Sequence, residues 1–68
     1  MITVTFAGEK RQIENGTTVE QFLALENVET TKYVKVSVNE KYVFTQNYAT
    51  HILQDGDVVE YMVLLGGG

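Results

Sequence analysis

Apolar and polar residues alternate from the first positions of the chain. Ile2, Val4 and Phe6 are separated by Thr3 and Thr5, a period of two rich in β-branched residues that predicts a strand. Ala7-Gly8-Glu9 breaks the pattern, and Gly8 suits a hairpin turn. Lys10 to Glu14 returns as a short polar strand anchored by Ile13, and Asn15-Gly16 stops it. Periodicity then changes. Val19, Phe22 and Leu23 share one helical face, with Leu25 off the stripe, which predicts a short helix ending near Asn27. Thr17 is the expected N-cap, with Glu20 at capping-box spacing. After the connection Val28-Glu29-Thr30-Thr31, Tyr33, Val34, Val36 and Val38 alternate with Lys35 and Ser37 and predict a third strand. Asn39-Glu40 reads as a tight turn, and Tyr42-Val43-Phe44 as a fourth strand. Thr45 to Gln54 is a less regular crossover with a helical turn near Tyr48. Asp55-Gly56-Asp57 is a turn in which Gly56 supplies a positive φ, and Val58 to Leu65 forms the last strand.

Two hairpins around one helix define an α+β class, with one mixed sheet of about five strands packed on the helix. A right-handed crossover lets the first and last strands lie parallel at the sheet centre. That arrangement is the ubiquitin-like β-grasp. The expected organisation is one domain over 1–65 and a flexible tail over 66–68.

The chain has 68 residues and no cysteine, so disulfides, zinc–thiolate sites and thiol nucleophiles are excluded. A chain this short buries only about 60% of its unfolded surface, and packing alone must hold it. The net charge is −4, and the five basic residues Lys10, Arg11, Lys32, Lys35 and Lys41 form no long cluster. That argues against nucleic acid and against an anionic membrane as partners. It favours a basic protein partner, reached by electrostatic steering. The start of the chain lacks the pattern of a secretory signal, and its longest apolar run is too short to span a membrane. Cytoplasmic location is the expectation.

The chain stops on Gly66-Gly67-Gly68 directly after the apolar strand. Three extended residues reach about 10 Å beyond the fold. Without a Cβ they can enter a narrow slot and present an unhindered carboxylate at Gly68. That carboxylate is a candidate substrate for another enzyme. Along the last strand, Val59, Tyr61, Val63 and Leu65 share one face and Val58, Glu60, Met62 and Leu64 the other. Glu60 marks the second face as solvated, which makes Met62 and Leu64 exposed apolar groups beside the tail and candidate partner-binding residues. Leu65, at the junction of strand and tail, is a third.

Other residues carry less. His51, the lone imidazole, reads as a loop residue, since no nucleophile or carboxylate partner is near it in sequence. Asp55 and Asp57 read as turn chemistry, because two carboxylates fall short of a calcium ligand set. Tyr33, Tyr42, Tyr48 and Tyr61 read as strand and core residues, and Glu9, Glu14, Glu20, Glu26 and Glu29 as a solvated surface. No pair of titratable groups is arranged for acid–base work and no nucleotide-binding glycine loop follows a strand. The chain is therefore expected to be a protein co-substrate, with no catalytic residue, bound metal or bound cofactor of its own.

Several stretches carry a resemblance. Gln54-Asp55-Gly56-Asp57-Val58-Val59-Glu60 running on to Gly67-Gly68, the hairpin Val36-Ser37-Val38-Asn39-Glu40 with Val43 beyond it, and Thr18-Val19 opening the helix are similar to the sulfur-carrier family of thiamine biosynthesis (ThiS-like, within the MoaD/ThiS superfamily). Phe22-Leu23 stand where that family often has two leucines. Glu26 departs from it by replacing a common leucine, and 42–48 lacks the family's frequent proline and arginine. The resemblance covers essentially the whole chain. It implies that a ThiF-like adenylating enzyme, using ATP and magnesium, activates the Gly68 carboxylate. A sulfur donor such as a cysteine desulfurase then supplies sulfur for a thiocarboxylate. Thiazole synthase is the implied acceptor of that sulfur, for the thiazole of thiamine.

Three alternatives stay open at this point. The same adenylation serves a ubiquitin-like modifier joined through Gly68 to lysines, or a carrier for another pathway such as molybdopterin synthesis. A plain interaction domain would leave the glycines inert.

Overall fold

The computed structural model describes residues 1–64. Leu65 and the glycines 66–68, on which the tail and hinge expectations fall, lie outside the described residues. Six regular elements follow one another: β1 (Ile2–Phe6), β2 (Glu9–Ile13), α1 (Val19–Leu25), β3 (Val34–Val38), β4 (Lys41–Val43) and β5 (Val58–Val63), with a single 3-10 turn over Thr45–Asn47 between the last two. The sheet order is β2-β1-β5-β3-β4. β1 and β5 run parallel at its centre and the other neighbouring pairs are antiparallel. This is the expected β-grasp.

Both hairpins turn on two residues with positive φ. Ala7 (52°) and Gly8 (80°) join β1 to β2, and Asn39 (54°) and Glu40 (69°) join β3 to β4. Paired positive φ values match the right-handed twist of the flanking strands. Asn39 accepts the strain because its side chain is fully engaged. Its Nδ2 donates to Asp57 Oδ1 at 2.9 Å, and its Oδ1 accepts from the Val58 N–H at 2.9 Å. Asp57 Oδ2 also accepts from the Gln54 N–H, and Asp55 Oδ1 from the Thr3 N–H, each at 2.8 Å. The two aspartates are thus turn ligands for backbone and amide. They fix where β5 begins relative to β1 and β3.

The helix begins one residue later than its sequence spacing suggests. Thr18, not Thr17, is the N-cap: its hydroxyl accepts from the Gln21 N–H while Gln21 Oε1 accepts from the Thr18 N–H. Thr17 is committed elsewhere. It is buried, its hydroxyl donates to the Glu14 carbonyl at 2.6 Å, and its own carbonyl accepts from the Leu53 N–H. Thr18→Ala is expected to lower stability by about 1 kcal/mol, the usual loss for an N-cap, read as a shift in the denaturant midpoint at unchanged m-value. An unmoved midpoint would place the cap elsewhere.

Val19, Phe22 and Leu23 of α1 are fully buried against Val4 and Phe6 of β1, Val36 and Val38 of β3 and Val59 of β5. Tyr48 and Leu53, from the irregular crossover, close the core. Of the four tyrosines expected in strand and core, only Tyr48 is buried. Tyr33 precedes β3 and is exposed, as is Tyr42 on β4, while Tyr61 on β5 is half exposed. At the other edge Arg11 on β2 bridges Glu9 (3.1 Å) and the helix C-cap residue Glu26 (3.3 Å). The Glu9 hydrogen bond first, and the Glu26 bond second, raise the guanidinium pKa above its ordinary value. Glu26, which replaces an apolar residue common in the resembled family, therefore has a specific charged partner.

Candidate functional site

The strand that leads toward the tail is the central one, and register decides which of its side chains are free. Val38 pairs with Val59, Val36 with Tyr61 and Val34 with Val63, all on the helix-covered face. Ser37 opposite Glu60 and Lys35 opposite Met62 lie on the other face. Nothing packs over that second face among the described elements. Met62 is 49% exposed and Leu64 43%. The Leu64 N–H donates to the Tyr33 carbonyl at 2.7 Å, so pairing with the chain before β3 continues beyond β5.

Helix cover also runs out along the first face. Val59 is fully buried, but Val63 is half exposed, because β5 overruns the short α1. Tyr61 bridges this change. Its ring stacks on Phe6 at 5.6 Å with 14° between planes, and Phe6 meets Phe22 edge-on at 5.1 Å. The strand carrying the candidate site is thereby anchored to the helix through three aromatic rings.

Beside β5, a groove of about 300 Å³ is lined by Lys35, Tyr42, Phe44, Thr45, Met62 and Leu64, with Val34, Val43 and Tyr48 reaching it from the core side. The structure thus brings together Met62 and Leu64, two of the three candidate docking residues. Leu65 and the tail residues Gly66, Gly67 and Gly68 lie outside the described residues. Tyr42 and Phe44, which the sequence reading did not single out for docking, join the same surface and are strongly exposed. A signal for Tyr42 was present. The two-residue turn at Asn39-Glu40 pairs it with Ser37, and Ser37 faces Glu60, so parity puts Tyr42 on the Met62 face. Glu40 and Glu60 lie with Lys35 and Met62 around a neighbouring shallow depression, giving the apolar surface a charged rim.

His51 is half-buried, and its backbone carbonyl accepts the Val19 N–H at 2.9 Å, which gives its position a structural role. Among the described residues no helix is long and apolar enough to cross a membrane.

The fold defines the class: a β-grasp domain whose central strand carries Met62 and, just beyond it, Leu64 past a groove at the sheet surface. Comparison with known proteins narrows the class. The model of the ThiS family matches residues 3–68. Over 98% of its length the chain is similar to the crystal structure of a thiamine biosynthesis protein (ThiS) from Geobacter metallireducens, with 25% identity, full coverage of that chain and a TM-score of 0.84. An NMR solution structure of a thiamine biosynthesis protein from the same organism is similar at 25% identity, covering 98% of this chain and 88% of that one, with a TM-score of 0.74. No curated protein sequence matches. The chain belongs to the ThiS family, small sulfur carriers of thiamine biosynthesis rather than enzymes.

Proposed function

We propose that the Gly68 carboxylate is the sulfur-bearing group. A ThiF-like enzyme adenylates it at the expense of ATP, with magnesium; the persulfide sulfur of a donor such as a cysteine desulfurase displaces AMP, and a thiol reductant then cleaves the S–S bond of the acyl disulfide to leave a thiocarboxylate. The chemistry requires this order. A carboxylate oxygen is a poor leaving group, whereas the mixed anhydride with AMP carries a good one. Sulfur then attacks an acyl carbon with no side chain beside it. The thiocarboxylate is a tethered nucleophile, delivered to thiazole synthase by docking rather than by diffusion. The observation that supports this best is the family match running through Gly68, downstream of a strand whose free face exposes Met62, with Leu64 just beyond it. The test is intact mass after incubation with the adenylating enzyme, ATP, magnesium and a sulfur source. One oxygen-to-sulfur exchange, localised to Gly68, is the expected gain; conjugation to lysines instead would make the chain a modifier.

Met62, Leu64 and Leu65 are proposed as the partner-binding residues, with Gly66 and Gly67 as the passage into the partner's active site. An exposed apolar surface with a charged rim is the usual form of a protein docking site. Glu40 and Glu60 would steer a basic partner onto it. Met62→Glu is expected to weaken docking by about tenfold or more, the effect of losing roughly 1.4 kcal/mol at a central apolar contact. It would be read as a raised KM for the carrier in the adenylation assay, at an unchanged unfolding midpoint. Gln12→Glu, on the outer face of β2 at the sheet's far edge, is the control and leaves KM unchanged. Equal KM values for Met62→Glu and the parent chain would remove the groove from the docking site.

A further inference from the structure

The chain contains two places where a side-chain carbonyl precedes a glycine nitrogen, Asn15-Gly16 and Asp55-Gly56. They are chemically similar and structurally opposite. At Asp55-Gly56 both reacting groups are engaged: the Gly56 N–H donates to the Thr3 carbonyl at 2.8 Å, and Asp55 Oδ1 accepts from the Thr3 N–H at 2.8 Å. At Asn15-Gly16 neither is engaged among the described residues. Both residues are exposed in the turn between β2 and α1. Gly16 has a φ of +87°, and no atom lies within 4 Å of where a Cβ would stand. The remaining asparagines are protected. Asn27 and Asn47 precede Val28 and Tyr48, whose side chains crowd the attacking nitrogen and whose N–H groups bond to Leu23 and Thr45. Asn39 precedes Glu40 and has both amide atoms bonded.

We propose that Asn15 is a site of spontaneous deamidation and isoaspartate formation in the folded protein. The Gly16 backbone nitrogen attacks Asn15 Cγ. An N–Cγ bond forms, the Cγ–Nδ2 bond breaks, and the amide leaves as ammonia carrying the Gly16 proton. Water then opens the resulting succinimide at either carbonyl. Opening at Cγ gives aspartate, and opening at the backbone carbonyl gives isoaspartate, in which the main chain runs through Cγ. No oxidant or reductant is involved.

Each event adds one negative charge, and the isoaspartate product lengthens the main chain just before Thr17. That threonine ties the turn to Glu14 and to Leu53, so ageing loosens the junction of β2, α1 and the crossover. The modified turn lies at the sheet end where Ile13 pairs with Ile2. β5 leaves past Phe6 at the opposite end. Sulfur loading through the Met62 face should therefore be retained by the aged chain, and the proposal stands or falls independently of the carrier chemistry.

The test is ageing of the full chain in heavy-oxygen water at mildly alkaline pH, then trypsin digestion in ordinary water. Cleavage after Arg11 and Lys32 places Asn15 and Asn27 in one peptide, so Asn27 is an internal control. The expected result is the amide-to-acid mass change with heavy oxygen at Asn15 before any conversion at Asn27, and methylation of the same peptide by an isoaspartyl methyltransferase. Asp55 should take up no heavy oxygen in the folded chain and begin to do so in urea. Asn15→Ser should remove the methyl acceptor. Conversion of Asn15 no faster than that of Asn27, or labelling of folded Asp55 as fast as Asn15, would overturn the assignment.

Discussion

Removal of Gly68 is expected to abolish sulfur loading and to leave unfolding unchanged. One residue of extended chain spans about 3.3–3.6 Å. A misplacement of about 1 Å can already cost on the order of a hundredfold when a reacting group must reach a near-attack geometry. The shortened chain still ends on glycine, because Gly67 becomes terminal, so steric crowding is not the variable; reach is. A single residue appended after Gly68 is expected to block loading equally, by displacing the carboxylate in the other direction. Folding should ignore both changes, since among the described residues the last fully buried one is Val59 and the β5 ladder runs to Val63. Loading is read by intact mass and stability by the denaturant midpoint. A shortened chain that acquires sulfur in normal yield would defeat the proposal that Gly68 is the acceptor.

The elements themselves were legible because most of them obey a simple period. Ile2, Val4 and Phe6, and again Val34, Val36 and Val38, keep strict alternation, and all but the partly buried Ile2 lie in the buried core. Glu60 fixed the parity of β5, and with it the exposure of Met62 and Leu64. Where sequence reasoning stopped short, tertiary contacts decided the outcome. Thr17 and Thr18 are both competent caps. What separates them is that Thr17 is held by Glu14 and Leu53, residues one turn before it and far along the chain. Tyr48 and Leu53 sit in a segment without period, and they are buried because the crossover folds back under the helix start, where the Glu20 N–H donates to the Tyr48 carbonyl. Phe44, expected to close the fourth strand, lies just beyond β4 and faces solvent, so local pattern alone could not sort the three.

The candidate site was legible for a related reason. The exposure of Met62 and Leu64 follows from the parity of one strand, a local property. The groove beside that strand is not local: it needs the β3–β4 register to bring Tyr42 to the Met62 face. The β3–β5 register places Lys35 next to Met62, so a cation and an apolar group sit side by side at the centre of the proposed docking face. A partner surface with an apolar contact and a basic rim would match Met62, Glu40 and Glu60 while having to accommodate Lys35.

Phe22→Ala is expected to remove a large part of the fold's stability. Phe22 is fully buried, and removing a buried phenylalanine costs about 3–5 kcal/mol in lost transfer energy and residual cavity. Small domains have roughly 0.05–0.15 kcal/mol of stability per residue, which for a chain of this size is a total of the same order as the loss. The ring also holds Phe6 edge-on, and Phe6 in turn stacks on Tyr61. Loss of Phe22 therefore loosens β5 at the point where it leaves helix cover, and sulfur loading should fail together with the fold. Phe22→Leu keeps an apolar side chain at the site and sheds only the aromatic contact and part of the volume, so it should remain folded and be loaded. Paired denaturation and loading measurements separate the cases. Should Phe22→Ala keep a parental midpoint, the helix is not what holds the tail-bearing strand. Should it fold poorly yet load normally, the partner recognises the chain end without the sheet face, and the docking role of Met62 and Leu64 would fall with it.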